Sequence, residues 1–533
     1  KEQKKQEHAL SKEMFLSFQK RAWLFLAIRK VYFMMRPIMK RKPIWMYLDK
    51  IYKGGDSSEY LYRYAKEQKD GIQHYYLVDK HATDYRRLKK LGYKPLVRGS
   101  IKHRLVFLMA DMMVISNSTV FAFNNYGLPN SSYVRDIVDF HVCCVQHGMS
   151  VQKIAVAQNR LRDNTRLYFC ASKYEIENLS RPVYDYVGYN ALKLTGVPRY
   201  DGLVNDDKKQ IMISPTWRMQ AAVPVRTSEG EQRDYNPLFK ESTYFKVFNS
   251  LINDPRLIEA AKKYGYRIKY VLHPIVSAQV DDFDKNDYVD VVPAVGDMSY
   301  ETMFRESSLM VTDFSGIQFD FAYMRKPLVY LHHKDIPQHY EEGTFFYDTM
   351  AFGEIAHDND ELIDLLCEYM ASGCKMKEEY VRRADDFFYY NDHHNCERIY
   401  DVMIDYQNRK ILHKVSDRIH FAFKDVSAPA IDAEQRNKAI AALETIAAAN
   451  EIKIGEKTVA DRYYDEKIEP KTVALVGLGK NVRGNMQYIL NELNANPCFE
   501  GYRVYVRTSE ETEPTVLNYI QKNHWERTEA VTN

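Results

Sequence analysis

From about residue 43 onward the sequence keeps one rhythm: short apolar runs separated by longer amphipathic stretches. A strand covered on both faces reads as continuous hydrophobic sequence, whereas the helix covering it shows a single apolar stripe. Strands and helices in alternation therefore imply parallel sheets in an α/β fold. The apolar runs at Ile44–Leu48, His74–Val78, Met112–Ser116, Val142–Gln146 and Leu167–Ala171 form a first series. Those at Ile211–Ser214, Ile268–Leu272, Val289–Val292, Leu309–Thr312 and Leu328–Leu331 form a second. Two series predict two Rossmann-like halves, divided near the solvated stretch Asp206-Asp207-Lys208-Lys209, with the intervening cleft as the default ligand site.

The ends of the chain follow other patterns. Residues 1–42 read as a basic amphipathic helical segment in which the apolar stretch Trp23–Met35 is interrupted by Arg29 and Lys30 and framed by Lys20, Arg21, Arg36, Lys40, Arg41 and Lys42. It is too short to span a bilayer. Contact with an anionic membrane surface and docking on the protein's own body are both open readings. Residues 43–205 and 206–406 are the two expected Rossmann-like domains, and residues 407–470, with alanines at 441–442 and 447–449, read as a helical connector. At 471–533 a strand from Thr472 enters a glycine turn, which opens a third Rossmann-like unit; its glycines at 477, 479 and 484 miss the dinucleotide spacing. A faint likeness to the Gly54-Gly55-Asp56 region suggests a tandem repeat, with the start of a second transferase at the end of the chain. The chain does not begin with Met, as a piece of a longer protein would not.

Composition narrows the function. Within 533 residues, 75 basic side chains oppose 72 acidic ones, so no global field gathers nucleic acid. None of the seven cysteines pairs at the C-x-x-C spacing of a zinc or redox motif, which fits a reducing, intracellular environment; Cys143 and Cys144 read as small buried hydrophobes. Asp281, Asp282 and Asp284 lack the glycine and closing glutamate of a calcium loop and read as a solvated acidic loop. No metal and no cofactor are expected.

Four segments place polar groups just past predicted strands, where parallel sheets collect ligands. In Val145-Gln146-His147-Gly148, His147 is either a base for an attacking hydroxyl or a satisfied surface histidine. In Ser214-Pro215-Thr216-Trp217-Arg218, Arg218 either grips phosphate oxygens through two parallel bonds or pairs with a nearby acid. His273, held by Pro274 after the third strand end, either donates to a diphosphate or supports its own turn. In Thr312-Asp313-Phe314-Ser315-Gly316 a strand passes through small residues into a helix, whose free N–H groups suit phosphate; Asp313 and Ser315 are also candidate caps.

Taken together, His147-Gly148, Gly196-Val197-Pro198-Arg199-Tyr200-Asp201, Thr216-Trp217-Arg218, His273-Pro274 and Thr312–Gly316 resemble the CDP-glycerol glycerophosphotransferase family in order and spacing. The match runs over about residues 44–405, through Lys326-Pro327-Leu328 and Glu397-Arg398-Ile399. The resemblance implies a GT-B-like fold and transfer of glycerol phosphate, or a related polyol phosphate, from CDP-glycerol or another CDP-polyol. The acceptor it implies is a lipid-linked or oligomeric polyol phosphate, extended into a teichoic-acid-like or capsular polymer with release of CMP. His147 becomes the base, His273 a second catalytic group, and Thr216, Arg218, His273, Asp313, Ser315 and Gly316 the donor contacts. The expected location is the inner face of the cell membrane. Two departures, Gly316 where the family commonly carries a second serine and Gln146 where many relatives carry an aromatic residue, point to a divergent branch. The rivals are a GT-B nucleotide-sugar transferase or 2-epimerase, and a non-catalytic, membrane-associated polymer-binding scaffold.

Overall fold

The structure is a computed structural model that describes residues 2–50, 53–116, 133–152, 154–218, 221–222, 234–296, 298–336, 342–420, 471–476, 485–508 and 513–532. The alanines at 441–449 and the glycines at 477, 479 and 484 lie outside the described residues. The chain divides into two units, Lys1–Asp417 and Arg418–Asn533.

The larger unit holds two parallel sheets. The first comprises β1 (Ile44–Leu48), β2 (Gln73–Val78), β3 (Leu96–Val97), β4 (Met112–Ile115), β5 (His141–Cys144), β6 (Thr165–Cys170) and β7 (Leu192–Leu194), in the order β3-β2-β1-β4-β5-β6-β7. The second comprises β8 (Gln210–Ile213), β9 (Arg267–Leu272), β10 (Val289–Pro293), β11 (Ser307–Thr312), β12 (Leu328–Leu331) and β13 (Gly353–Ala356), in the order β10-β9-β8-β11-β12-β13. Every residue of β1, β4, β8, β11 and β12 is buried, which is why these strands read as unbroken apolar runs. The two Rossmann-like lobes expected from the rhythm are present. Strands β3, β7 and β13 were not apparent in sequence, being two to four residues long and only partly buried.

Helix ends follow local rules. Ser242 and Asp254 cap the helices Thr243–Ile252 and Pro255–Tyr264, and Gly265, at φ +75°, closes the second. Between β7 and β8 the chain crosses from the first lobe to the second through Gly196–Asp201. It returns along the helix Asn395–His420, whose Cys396, Ile399, Tyr400 and Met403 pack into the first-lobe core beside Trp45, Tyr47 and Phe169. Packing therefore changes lobe before residue 395, ahead of the boundary at 406 drawn from sequence. Asp201 accepts from the backbone N–H groups of Asn395 (2.9 Å) and Cys396 (2.8 Å), so the outgoing and returning crossings are bonded to each other. Gly196, at φ +93°, is obligatory there: a Cβ would lie 1.8 Å from Asn395 Oδ1.

At the amino end, helix Lys20–Met39 buries Ala22, Phe25, Arg29 and Tyr32 against the first lobe. Its other face leaves Trp23, Leu24, Met34 and Ile38 exposed. Among the described residues, no helix is long and apolar enough to cross a membrane. Asp281 is exposed as expected, whereas Asp282 is buried and accepts from the Tyr235 hydroxyl at 2.9 Å, so that loop is not wholly solvated.

The smaller unit carries β14 (Thr472–Val476), β15 (Arg503–Thr508) and β16 (Thr528–Thr532), parallel and in sequential order, with helices Asn485–Ala495 and Glu513–Lys522 between them. This is also the order of β1, β2 and β3.

Candidate active site

In the second sheet, Ile213 of β8 lies between Tyr270 of β9 and Val311 of β11. The loops that follow leave from one level, with Thr216, His273 and Asp313 each two or three residues beyond that row. Asp313 accepts from the Thr216 N–H at 2.7 Å and pairs with Arg218 at 2.9 Å. His273 sits at the head of a 3-10 helix, and its Nδ1 accepts from the Ile275 N–H at 3.2 Å. In the neutral ring that bond places the proton on Nε2, leaving a donor. Trp217 lies beside the same imidazole, with ring centroids 6.2 Å apart. His273 thus supports its own turn.

Two expectations need correction. Asp313 and Ser315 do not cap the next helix, which runs only over Gln318–Tyr323 with Ile317 at its N-cap and no side-chain cap bond. Asp313 is held back by Thr216 and Arg218, while the backbone carbonyl of Ser315 accepts from Gln318 N–H at 3.3 Å to close the turn. The two terminal nitrogens of Arg218, a residue 6% exposed, bond the carbonyls of Thr216 (2.7 Å) and Ile336 (3.1 Å). A two-pronged phosphate grip by those nitrogens does not fit this placement. Arg218 Nε, Thr216 Oγ1 and His332 Nε2 are buried without a hydrogen-bond partner among the described residues. Unsatisfied polar atoms gathered on adjacent loops are what a polar ligand would quench.

In the first sheet Leu48, Ile115 and Cys144 form the last row. One residue beyond it, Asp49 is fully buried and accepts from the N–H groups of Asp56 (3.2 Å), Ser58 (2.8 Å) and Glu59 (3.1 Å), from Ser116 Oγ (2.8 Å) and from the Tyr76 hydroxyl (2.9 Å). Burial, with Asp56 and Glu59 nearby, pushes Asp49 up to about 7, against the pull of these donors. Its effect is structural: a carboxylate fills the N-terminus of helix Ser57–Glu67 and fixes the loop carrying Asp56.

Three residues past Cys144, His147 is half exposed, and its Nδ1 bonds the Asp56 carboxylate. In the neutral ring this contact places the proton on Nδ1 and leaves Nε2 as a lone-pair acceptor, the form a general base requires. Burial disfavours the charge on Asp56, but His147 and Arg199 outweigh it and hold the carboxyl well below the usual range. The residue before the histidine, Gln146, is 1% exposed and adopts φ +61°, a left-handed conformation uncommon outside glycine. Its amide donates to the Phe169 carbonyl, so a buried side chain holds the strained turn that presents His147. Below that turn Glu175 accepts from the N–H groups of Ser150 (3.0 Å) and Ala171 (2.9 Å), and burial raises its carboxyl to about 7.

Two bonded paths join the lobes here. Arg199 spans from Asp56 (3.1 Å) to Asp320 (2.9 Å) on helix Gln318–Tyr323. Tyr347 accepts from Gln152 (2.6 Å) and Gln318 (3.0 Å), and its hydroxyl lies 3.3 Å from the Asp313 carbonyl. The His147 loop and the 313–318 turn are thereby tied together. Asp49, Asp56, Asp320 and Tyr347 drew no notice in sequence as site residues, because their partners are distant along the chain. The only local signal was Asp56 following two glycines.

Comparisons with known proteins identify the family and the fold. The family model for CDP-glycerol:poly(glycerophosphate) glycerophosphotransferase matches residues 28–405. The minor teichoic acid biosynthesis protein GgaB of Bacillus subtilis (strain 168) is 35% identical over 375 residues, 70% of this chain and 41% of that protein. A teichoic acid glycerol-phosphate transferase of Staphylococcus aureus (strain NCTC 8325 / PS 47) is 29% identical over 164 residues, 30% of this chain and 36% of that protein. The chain thus spans less than half the length of either curated relative. The solved wall teichoic acid polymerase TagF superposes with a TM-score of 0.50 at 15% identity, covering 77% of this chain and 99% of that one. A TagF variant soaked with CDPG gives the same score and coverage. The shared fold is two Rossmann-like domains of GT-B type, and with the family model covering most of the sequence, this chain belongs to the CDP-glycerol:poly(glycerophosphate) glycerophosphotransferase family.

Proposed function

We propose that this chain transfers glycerol phosphate, or a related polyol phosphate, from a CDP-activated donor to the terminal hydroxyl of a growing teichoic-acid-like or capsular polymer, releasing CMP. The observation that carries this reading is the His147–Asp56 contact, which orients an imidazole as a proton acceptor just past the carboxyl ends of the first sheet's strands. The acceptor hydroxyl attacks the donor phosphorus nearest the polyol. A new O–P bond forms as the bond to CMP breaks, and the hydroxyl proton passes to His147 Nε2. Negative charge builds on the phosphoryl oxygens and on the departing CMP. The Nε2–H of His273 and the backbone at Ser315-Gly316 supply donors for it. Thr216 and Asp313 hold the two loops together, and Arg218 supports them from beneath rather than grasping phosphate. No side chain in this scheme needs a metal or a cofactor.

The exposed apolar face near the amino end supports a peripheral position on an anionic, inner membrane surface. Phe18 (75% exposed), Met34 (65%) and Ile38 (58%) stand on it among exposed Lys20, Arg21, Lys30 and Arg41. The other face of the same helix is docked on the first lobe, so helix docking and membrane contact do not compete.

Incubation with CDP-glycerol, CDP-ribitol or UDP-sugars, in the presence of a short lipid-linked polyol-phosphate acceptor, tests the reading by the nucleotide released. CMP release with chain extension is expected, and it stops in His147→Ala and His273→Ala. UDP release would instead establish the sugar-transferase or epimerase alternative. Full function in both histidine variants, lost only on removal of residues 1–42, would establish the scaffold. Vesicles of anionic lipid should sediment the protein where vesicles of neutral lipid do not.

A further inference from the structure

The reaction above gives no task to Gly196-Val197-Pro198-Arg199-Tyr200-Asp201, the segment that crosses between the lobes. Its members have distinct contacts. Gly196 makes room for Asn395, Asp201 bonds the start of the returning helix, and Tyr200 packs on Tyr323 with ring centroids 4.4 Å apart. Arg199 alone of the segment turns toward the histidine. Its side chain is 13% exposed and bonds Asp56 of the first lobe and Asp320 of the second, whose side chains are 14% and 4% exposed. Burial disfavours the guanidinium charge, yet Asp320 and Asp56 more than restore it.

We propose that Arg199 is a positioning residue that couples lobe closure to the aim of His147, acting through Asp56. The inference rests on His147 being the base. Asp56 has two jobs in this arrangement: one oxygen orients the imidazole and the other is held by Arg199. Arg199 reaches Asp56 in this register only while its other nitrogens are docked on Asp320. That residue belongs to the helix following the Ser315-Gly316 turn. When the lobes part, one anchor is lost, and Asp56 with its histidine is free to rotate. The base is then aligned only in the closed arrangement, in which a bound donor would lie opposite it; this limits loss of the activated donor to water.

Charge adds a readout. The ionisable groups around this chain of contacts are Asp49, Glu59 and Arg87 from the first lobe, Glu175 below the His147 turn, and Asp320 from the second lobe. Arg199 is the cation that shares Asp56 with His147. Without it, Asp56 faces the imidazole alone, and the acid limb of the kcat profile is expected at higher pH.

The test uses the whole chain with CDP-glycerol and a short glycerophosphate acceptor, comparing His147→Ala, Arg199→Met, Arg199→Lys and Asp320→Asn. Arg199→Met is expected to lose about 10- to 100-fold in kcat, as misaligned bases do, with donor KM changed by less than about 2-fold and the acid limb moved to higher pH. Arg199→Lys should restore the limb but only part of kcat, since an ammonium cannot make the paired contact with Asp320. Asp320→Asn has nearly the same size but keeps one acceptor for the two Arg199 nitrogens that Asp320 now receives, so the anchor is weakened without removing the guanidinium; it should lose kcat several-fold at constant donor KM, even if Arg199→Met folds poorly. An inactive His147→Ala beside Arg199→Met and Asp320→Asn with wild-type kcat and an unmoved limb overturns the coupling alone. Complete repair of kcat by Arg199→Lys overturns it as well. A fully active His147→Ala overturns the base reading itself, whatever the Arg199 variants do.

Discussion

The two lobes of the larger unit are built alike but use their buried carboxylates in opposite ways. In the first lobe Asp49 is aimed into the N-terminus of helix Ser57–Glu67 and occupies N–H groups to which an anion would otherwise bind. In the second, Asp313 turns toward Thr216 and Arg218, and the helix at Gln318 starts with no side-chain cap. One lobe fills its helix N-terminus with a side-chain carboxylate, and the other leaves the corresponding turn without a side-chain cap. Under the proposed reading this asymmetry divides the labour: the first lobe presents a proton acceptor and the second receives the diphosphate.

The sharpest way to break that division is His147→Ala, which should lower kcat by about 10²–10⁴-fold while leaving donor affinity intact. CMP release and calorimetric titration with donor check the two halves of that statement. If donor affinity fell instead, the first lobe would share in diphosphate binding. Asp49→Ala comes next: it strands three helix N–H groups and two hydroxyls, and should cost about 2–4 kcal/mol in urea unfolding. Gly196→Ala combines a left-handed backbone with a collision at Asn395 and should cost about 2–3 kcal/mol, read as a lowered Tm. The smallest effect concerns Glu175. Its carboxyl is raised by burial to about 7, so the folded protein binds more protons than the unfolded chain between the ordinary carboxylate range and pH 7. Stability contributed by this group is full at low pH and is lost as pH rises through that window. Glu175→Gln should flatten the fall in Tm from pH 4.5 to 7.

Sequence made the two-lobed architecture legible because buried parallel strands cannot hide: Ile44–Leu48 and Leu328–Leu331 were bounded to the residue. It also brought out the four strand-end segments, since histidine, proline and glycine just past an apolar run have few structural reasons to recur. It could not show how those segments spend their polar atoms. Whether Arg218 reaches outward or inward depends on Asp313, 95 residues later, and on the Ile336 carbonyl. Asp56 is tied to His147 across 91 positions. Pairings of that kind are fixed by strand order, and no local pattern records them. The short strands β3, β7 and β13 escaped for the converse reason: each is too brief and too partly covered to develop a hydrophobic signature.

The return of helix Asn395–His420 onto the first lobe has a practical consequence for dissecting this protein. A fragment ending near residue 205 would expose the apolar surface that Ile399, Tyr400 and Met403 now cover, and should aggregate. The natural way to express that half by itself is as an internal deletion, in which the segment from 395 onward is joined behind Asp201 in place of the second lobe.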